Sequence, residues 1–495
     1  MVEIFWDGFD KYGQLNMYTN YSTMGDEWTS VPSGGYGLLV AGRFSNSLAV
    51  NLTYGYTASR TLPGNYSRLI GGIAMQPGLV GNCGVIFGDA GTNQCSVGFN
   101  SSGKLVLWQG GLGGTQIAIT STAITAGSWH YVEWDLTFAS SGAYTIWLDG
   151  VQVFTGTGNL KSSGNSYANT VTLYGSSSGA GGNFDDMYLF DSTGSANNAQ
   201  RGDSRVETLF PTGDASVAFS PSQGAIGAYY SLQGLSGFMS ANILFLRKFT
   251  APVSGTLNSV SVMPLTTSTG ANFKPAVYAD NSGSPGTLLS SGSTVTGCTS
   301  GTALTLPLTT AQSLTAGTSY WIGYVTDTAL SMQRQDATGA VTSAGYTAGI
   351  TFSSAPPSTA PSMSSGQYSL QVWGNVTGMG TNYTETNEVP PGGDVSCVTS
   401  STVGAEDRYS FGSLSGTPAN IAGVKVSALL RKTDSGARTA TLQLKSGSTE
   451  VTGASQSPTT SYLYFASYQD TDPNTSAAWT ASGVNAISAG TKIAT

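Results

Sequence analysis

Apolar and polar residues alternate in short runs along most of the chain, a period of two that predicts β-strands rather than helices. Leu105–Trp108 and Tyr144–Leu148 are two such runs. Between Trp147-Leu148 and Val151-Gln152-Val153-Phe154 stands Asp149-Gly150, a dipeptide able to take positive φ at both turn positions, so a tight hairpin is predicted with Leu148 and Val151 beside the turn. Just before it, Trp129–Phe138 reads as a strand with His130, Val132, Trp134, Leu136 and Phe138 on one face and Trp129, Tyr131, Glu133, Asp135 and Thr137 on the other. The first set is expected to fill a core, and the second, with Glu133 and Asp135, to be solvated.

The pattern runs from Phe5 to about Asp191 and then gives way to Ser, Asn, Gly and charged residues, as in Ser192–Asn198, which predicts a connector up to about residue 218. Alternation resumes near Phe219, with Phe245–Phe249, Gly255–Val262 and Tyr320–Val325 as further strands. A Pro/Ser tract over 353–361 cannot occupy a central strand and is expected as a loop before a last strand at Tyr368–Trp373. Past Gly378, a final unit carries Ile421, Val424, Val426, Leu429, Leu430, Trp479 and Val484 as its core. The expected architecture is all-β, three consecutive β-sandwich or jelly-roll domains: 1–191, a linker over 192–218, then 219–378 and 379–495. No regular repeat or heptad run points to a solenoid or coiled-coil shaft.

Composition supports this picture. Only 9% of the 495 residues are charged and 66 are glycine, as expected of short strands and tight turns. Nine Trp, 24 Tyr and 18 Phe separate the chain from disordered Gly/Ser-rich sequences, which lack the aromatic surface to build a core. A formal net charge of -8 and the absence of a basic stripe argue against binding the phosphate backbone, so nucleic acid is not an expected partner. No apolar run approaches the roughly 20 residues of a spanning helix, and the N-terminus has no secretory pattern, so the expectation is a chain made in the cytoplasm with no membrane span. Cys83, Cys95, Cys298 and Cys397 are too sparse for a disulfide framework; Cys83 and Cys95 are placed to pair across a hairpin, but free buried thiols are expected.

The first unit resembles the concanavalin A-like, laminin-G-type jelly-roll family through Trp129–Trp134, Trp147–Val151 and Phe184–Leu189. It is more particularly similar to versions in bacteriophage structural proteins, which open on an element like Phe9-Asp10-Lys11-Tyr12 and close on one like Gly202–Thr212. The last unit is similar to another phage-associated segment through Asn387–Pro391, Thr399–Ala405, Arg431–Arg438 and Ala478-Trp479-Thr480. These resemblances imply a component of a tailed-phage virion, made in the host cytoplasm. They also imply capsid, portal or tail proteins as partners, a homo-oligomer such as a trimer, and contact with host-surface carbohydrate. A secreted bacterial glycan-binding protein and a degenerate glycoside hydrolase are the alternatives.

No catalytic residues are assigned. Glycosidases on this scaffold use a Glu-x-Asp-x-Glu strand, and Glu133-Trp134-Asp135-Leu136-Thr137 has Thr137 in place of the second glutamate, so retaining hydrolysis lacks its proton donor. His130 is the single histidine and is expected to pack with Val132 and Trp134. Tyr54, Tyr56, Tyr66 and Trp108, near Gly-rich loops, are candidates for stacking on sugar rings, and Asp185-Asp186 beside Asn183 is a candidate oxygen-ligand pair for calcium. Arg201-Gly202-Asp203 matches an integrin tripeptide but is expected to be connector.

Overall fold

A computed structural model describes residues 3–19, 22–33, 36–78, 81–176, 181–193, 199–221, 224–226, 236–251, 254–334, 341–347, 350–353, 355–366, 370–377, 382–393 and 397–495. Within the expected connector, residues 194–198 lie outside the described residues, as do Ser354 of the Pro/Ser tract and Tyr368 and Ser369 of the expected last strand. Strand makes up 54% of the structure and helix 3%, and the pairings are antiparallel throughout, which fixes the class as all-β.

The chain forms two compact units, 1–216 with 401–495, and 217–400. The first unit takes in both ends of the chain. The reason is a strand that the sequence assigned to the linker: Pro211–Ser216 pairs with Glu406–Phe411, so the segments on either side of the second unit share one sheet.

In the first unit the strands in chain order are β1 (Glu3–Asp7), β2 (Gly37–Ala41), β3 (Leu48–Leu52), β4 (Thr57–Tyr66), β5 (Arg68–Pro77), β6 (Cys83–Asp89), β7 (Thr92–Phe99), β8 (Leu105–Gln109), β9 (Thr115–Ile119), β10 (His130–Thr137), β11 (Gly142–Leu148), β12 (Val151–Gly158), β13 (Ala168–Tyr174) and β14 (Gly182–Phe190). One sheet runs β12-β11-β10-β5-β14-β3-β2, with β1 also on β14, and the other β4-β13-β6-β7-β8-β9. Their facing sides hold the core: Val132, Trp134, Leu136 and Phe138 are buried, and Phe87 of the opposite sheet meets Trp134 edge-on at 5.3 Å. Gly71 permits this, since a Cβ there would lie 2.7 Å from the Trp134 ring. The β11–β12 hairpin forms as predicted, with Asp149 at φ 51°, Gly150 at φ 78°, and Leu148 opposite Val151.

The outer side of the β10-β5-β14 sheet is also covered. Trp6, Ile70, Ala74, Tyr131, Tyr188 and Phe190 form a second apolar layer, against which Val206 and Tyr468 pack. Tyr468 belongs to Leu463–Gln469, which pairs with Val424–Leu430. That ribbon and the sheet of Pro211–Ser216, Glu406–Phe411, Ser488–Ile493, Ala440–Ser446 and Thr449–Thr452 enclose Leu442, Leu444, Trp479, Val484 and Ile487. Residues 401–495 thus complete the first unit. A buried ionic clasp joins the two parts: Glu27 takes Lys11 at 2.5 Å and Lys425 at 2.9 Å, and the Lys425 ammonium also donates to the Trp6 carbonyl.

The second unit is a sandwich by itself. Its four-stranded sheet comprises Gly224–Ile226, Val372–Thr377, Gly255–Val262 and Leu304–Leu314; its larger sheet is centred on Ser268–Asn281, Ser319–Thr326 and Ile243–Thr250. Leu257, Val260, Phe273, Val277, Ile322 and Val372 are among its core residues.

Candidate functional site

The carboxylates singled out in the sequence lie on the outer side of the β10-β5-β14 sheet; Asp135 is partly exposed there, whereas Glu133 is not solvated as expected. Glu133 is fully buried, in room left by Gly72, where a Cβ would sit 3.0 Å from its Cγ. Its Oε1 accepts hydrogen bonds from the Tyr188 hydroxyl at 2.6 Å and from the backbone amides of Arg201 at 2.9 Å and Gly202 at 2.8 Å. Burial drives the Tyr188 phenol well above its ordinary pKa, which keeps it a donor. Asp135 pairs with Arg68 through two hydrogen bonds of 2.7 and 2.6 Å. Thr137 ends the strand, where the register sets it against Arg68.

Asp185 and Asp186 sit at a bulge in β14, with Asp186 at φ 51°. Their oxygens accept from backbone: Asp185 Oδ2 from Arg43 N at 2.9 Å, Asp185 Oδ1 from Asp186 N at 2.8 Å, and Asp186 Oδ1 from Val206 N at 2.8 Å. Asp10, close by, accepts from Leu48 N at 2.7 Å, and burial pushes its carboxyl up to about 7. Burial raises Asp185 and Asp186 as well, with the Asp186 charge adding to the rise at Asp185. Among the described residues no three metal-ligating side chains converge.

Glu133 and Asp186 share one task. Each holds a stretch of the 201–206 segment against the sheet, a strap whose amides satisfy buried carboxylates that would otherwise be costly. The segment is therefore bound chain rather than free connector. Arg201-Gly202-Asp203 is part of it, with the Arg201 backbone bound to Glu133 and Asp203 paired to Arg43.

The aromatic candidates separate into two groups. Trp108, a candidate for stacking on a sugar ring, is 5% exposed, which leaves it too little open ring face for that role. It lies on β8 in register with Ser96, on the face where Gln94 holds the 162–167 loop through Ser163, Asn165 and Tyr167. Tyr66 is half-buried at the end of β4, opposite Ala168. His130 is at the start of β10, with Nδ1 2.8 Å from Asp149 Oδ2.

Tyr54 and Tyr56 are exposed and adjoin a third ring that the sequence reading did not single out, Tyr36. Tyr36 and Tyr56 are stacked, centroids 4.1 Å apart at 6°, and Tyr54 stands edge-on to Tyr36 at 5.7 Å and 84°. The turn beneath them is fixed. Tyr54 has φ 53° and Gly55 φ 75°, and Thr53 N donates to the Tyr36 carbonyl at 3.1 Å. Gly55 N donates to the Ser176 carbonyl at 2.7 Å, and Gly175 N to the Tyr56 carbonyl at 3.2 Å. The result is an L-shaped aromatic corner, 59% exposed at Tyr54, 39% at Tyr36 and 37% at Tyr56, on an anchored turn.

Beside the corner runs a row of amides. Asn51, Asn183 and Gln76 are cross-strand partners on β3, β14 and β5, half-buried and alternating with the fully buried Val50, Leu52, Phe184 and Met75. Asn51 Nδ2 donates to Asn183 Oδ1, and Asn183 Nδ2 to Gln76 Oε1, both at 2.6 Å.

Cys83, Cys95 and Cys298 are free, buried thiols. Cys83 and Cys95 lie on neighbouring strands in different registers, Cys83 opposite Phe99 and Cys95 opposite Phe87, and burial pushes the Cys83 thiol up to about 12.

No protein-family model matches the chain, and no curated protein matches it. Among solved structures it is similar to an endo-β-1,4-glucuronan lyase from the fungus Trichoderma reesei, at 14% identity over 38% of this chain and 96% of that one, with a TM-score of 0.28. It is also similar to the carbohydrate-binding module CBM66 from Bacillus subtilis, at 13% identity over 36% of this chain and 98% of that one, with a TM-score of 0.25. The cellulose-induced protein Cip1 gives 16% identity over 36% and 94%, with a TM-score of 0.26.

Proposed function

We propose that this chain is a non-catalytic structural component of a tailed-phage particle that binds glycans on the host surface. The observation that carries the binding part is the corner of Tyr36, Tyr54 and Tyr56: exposed, rigid rings offer the C–H face of a pyranose apolar area at little entropic cost. The virion part is supported by the sequence resemblance of residues 1–212 and of the last unit to phage structural proteins. A homo-oligomer, with a trimer as the working state, and attachment to capsid, portal or tail belong to the same proposal.

Two observations support the absence of turnover. Thr137 stands where a second carboxylate is needed, and the backbone of Arg201 and Gly202 occupies Glu133. Calcium has no part in the reading, because backbone amides take Asp185 Oδ1 and Oδ2 and Asp186 Oδ1.

The test is a glycan array probed with the full chain and with Tyr36→Ala and Tyr54→Ala variants, in buffer with and without EDTA. Binding that falls at least tenfold in both variants and ignores EDTA is expected; binding unchanged in both refutes the site. Mass spectrometry of purified particles is expected to find the chain in fixed copy number, and its absence refutes the virion assignment in favour of a secreted bacterial glycan-binding protein.

A further inference from the structure

The corner and the amide row differ from the rest of the outer sheet face in charge. Five stretches of chain converge here: Thr53 is bonded to Tyr36, Gly55 to Ser176, Gly78 N to the Gly181 carbonyl, and Gln76 Nε2 to the Gly127 carbonyl. Residues 28–42, 44–59, 69–88 and 162–184, which supply the rings, the amides and the loops between them, contain no Asp, Glu, Lys or Arg. The 105–129 stretch that supplies Gly127 contains none either. A few residues further along the same face the picture inverts, with Arg43, Asp185, Asp186 and Asp203 crowded together.

Sites for carboxylated or phosphorylated ligands hold them with guanidinium or ammonium groups. The stretches that supply this corner carry none, and what they offer an anion is amides, hydroxyls and ring faces. An amide offers both a donor and an acceptor, which suits a hydroxyl and leaves a carboxylate without a countercharge. Asn51 and Asn183 spend one amide hydrogen each along the row, so each keeps a second N–H for a ligand.

The row also has a direction and a length. Gln76, Asn183 and Asn51 lie on three consecutive strands, perpendicular to them, and the row meets the adjoining strand at Leu38, two residues after Tyr36. With strands about 4.8 Å apart the row spans about 10 Å, the length of about two linked pyranose rings.

We infer that the ligand class is a neutral, linear glycan, laid across the strands with its hydroxyls on the Gln76–Asn183–Asn51 row and one ring against the tyrosine corner. The inference rests on the glycan-binding reading above and adds its charge class and footprint.

The experiment uses the full chain, immobilised neutral polysaccharides (glucans, galactans and mannans), and polyuronates and sialylated glycans, each at 20 and 500 mM NaCl. Binding to at least one neutral polymer is expected, changed less than twofold by salt and weakened at least fivefold by Asn183→Ala and tenfold by Tyr36→Ala. Oligomers of the bound polymer should compete with affinity that stops rising at about three residues. Binding confined to the anionic polymers, weakened by salt yet still lost in Tyr36→Ala, overturns the neutral class and leaves glycan binding standing. Neutral binding that is lost in Tyr36→Ala but untouched by Asn183→Ala, with an unchanged melting temperature, overturns the amide row. Binding to neither class overturns both readings.

Discussion

Glu27 is the group on which the completed first unit leans most, and replacing it with Gln isolates its charge at nearly constant volume. The carboxylate is 3% exposed and surrounded by Lys11 at 2.5 Å, Lys425 at 2.9 Å, the Tyr12 hydroxyl at 3.0 Å and Arg60 at 3.9 Å, with Lys425 the contribution of the C-terminal segment. These three cations outweigh the cost of burial and hold its pKa far below the usual carboxylate range. The amide of Gln leaves them with Asp7, 3.8 Å from Lys11, as the nearest remaining counter-charge in the clasp. Removing one partner of a buried ionic set costs about 3–5 kcal/mol, because the remaining charges stay desolvated. Native-state hydrogen exchange should therefore show amides of Val424–Leu430 and Leu463–Gln469 opening at least a hundredfold more often in Glu27→Gln. Lys425→Met alone should cost less, and the double variant should be less destabilised than the sum of the two, with a coupling above about 1 kcal/mol. Exchange in Glu27→Gln within twofold of the parent, or strict additivity in the double variant, refutes the clasp.

Stability should respond to pH from both sides. Glu27, depressed on folding, contributes stability present above its unfolded pKa and lost as pH falls below about 4.5, so acid should release the C-terminal segment first, read by exchange or by Trp fluorescence. Asp10 has the opposite sign: raised from 3.8 to about 7, it holds a proton that the unfolded chain gives up, so up to roughly 4 kcal/mol is withdrawn as pH climbs from about 4 to 7, and Asp10→Asn should flatten that limb of the melting-temperature profile. A chain ending at Ser216 should expose Trp6 and Tyr12, which lose Tyr468 and Tyr464, and aggregate or bind a hydrophobic dye, whereas 217–400 expressed by itself should fold with cooperative melting. Glu133→Gln should leave glycan binding unchanged while making the 201–206 segment susceptible to protease; a fall in binding would move the site to the Glu133 face.

What could be read from the sequence was local. The Asp149-Gly150 hairpin and the inward face of β10 follow from turn chemistry and a period of two, and both are found as predicted. The same period misleads where both faces of a strand are covered. Leu105–Trp108 is buried on both faces of its strand, Trp108 on the side where Gln94 holds the 162–167 loop. Glu133 reads as solvated because the strap that covers it lies nearly seventy residues further on, and the ribbon that covers its neighbours more than three hundred. Pro211–Ser216 reads as linker because its partner strand follows an entire intervening unit, and no short-range pattern encodes a pairing across that distance. Tyr36 left a fainter trace: Gly35-Tyr36-Gly37 mirrors Tyr54-Gly55-Tyr56, two glycine-flanked tyrosines of the kind that present a ring from a turn. What joins them is the register of β2 on β3, with Gly37 opposite Leu52. A site built across strands becomes visible only once the register is known, whereas the amide row beside it was disguised in the sequence as three ordinary polar positions on alternating strands.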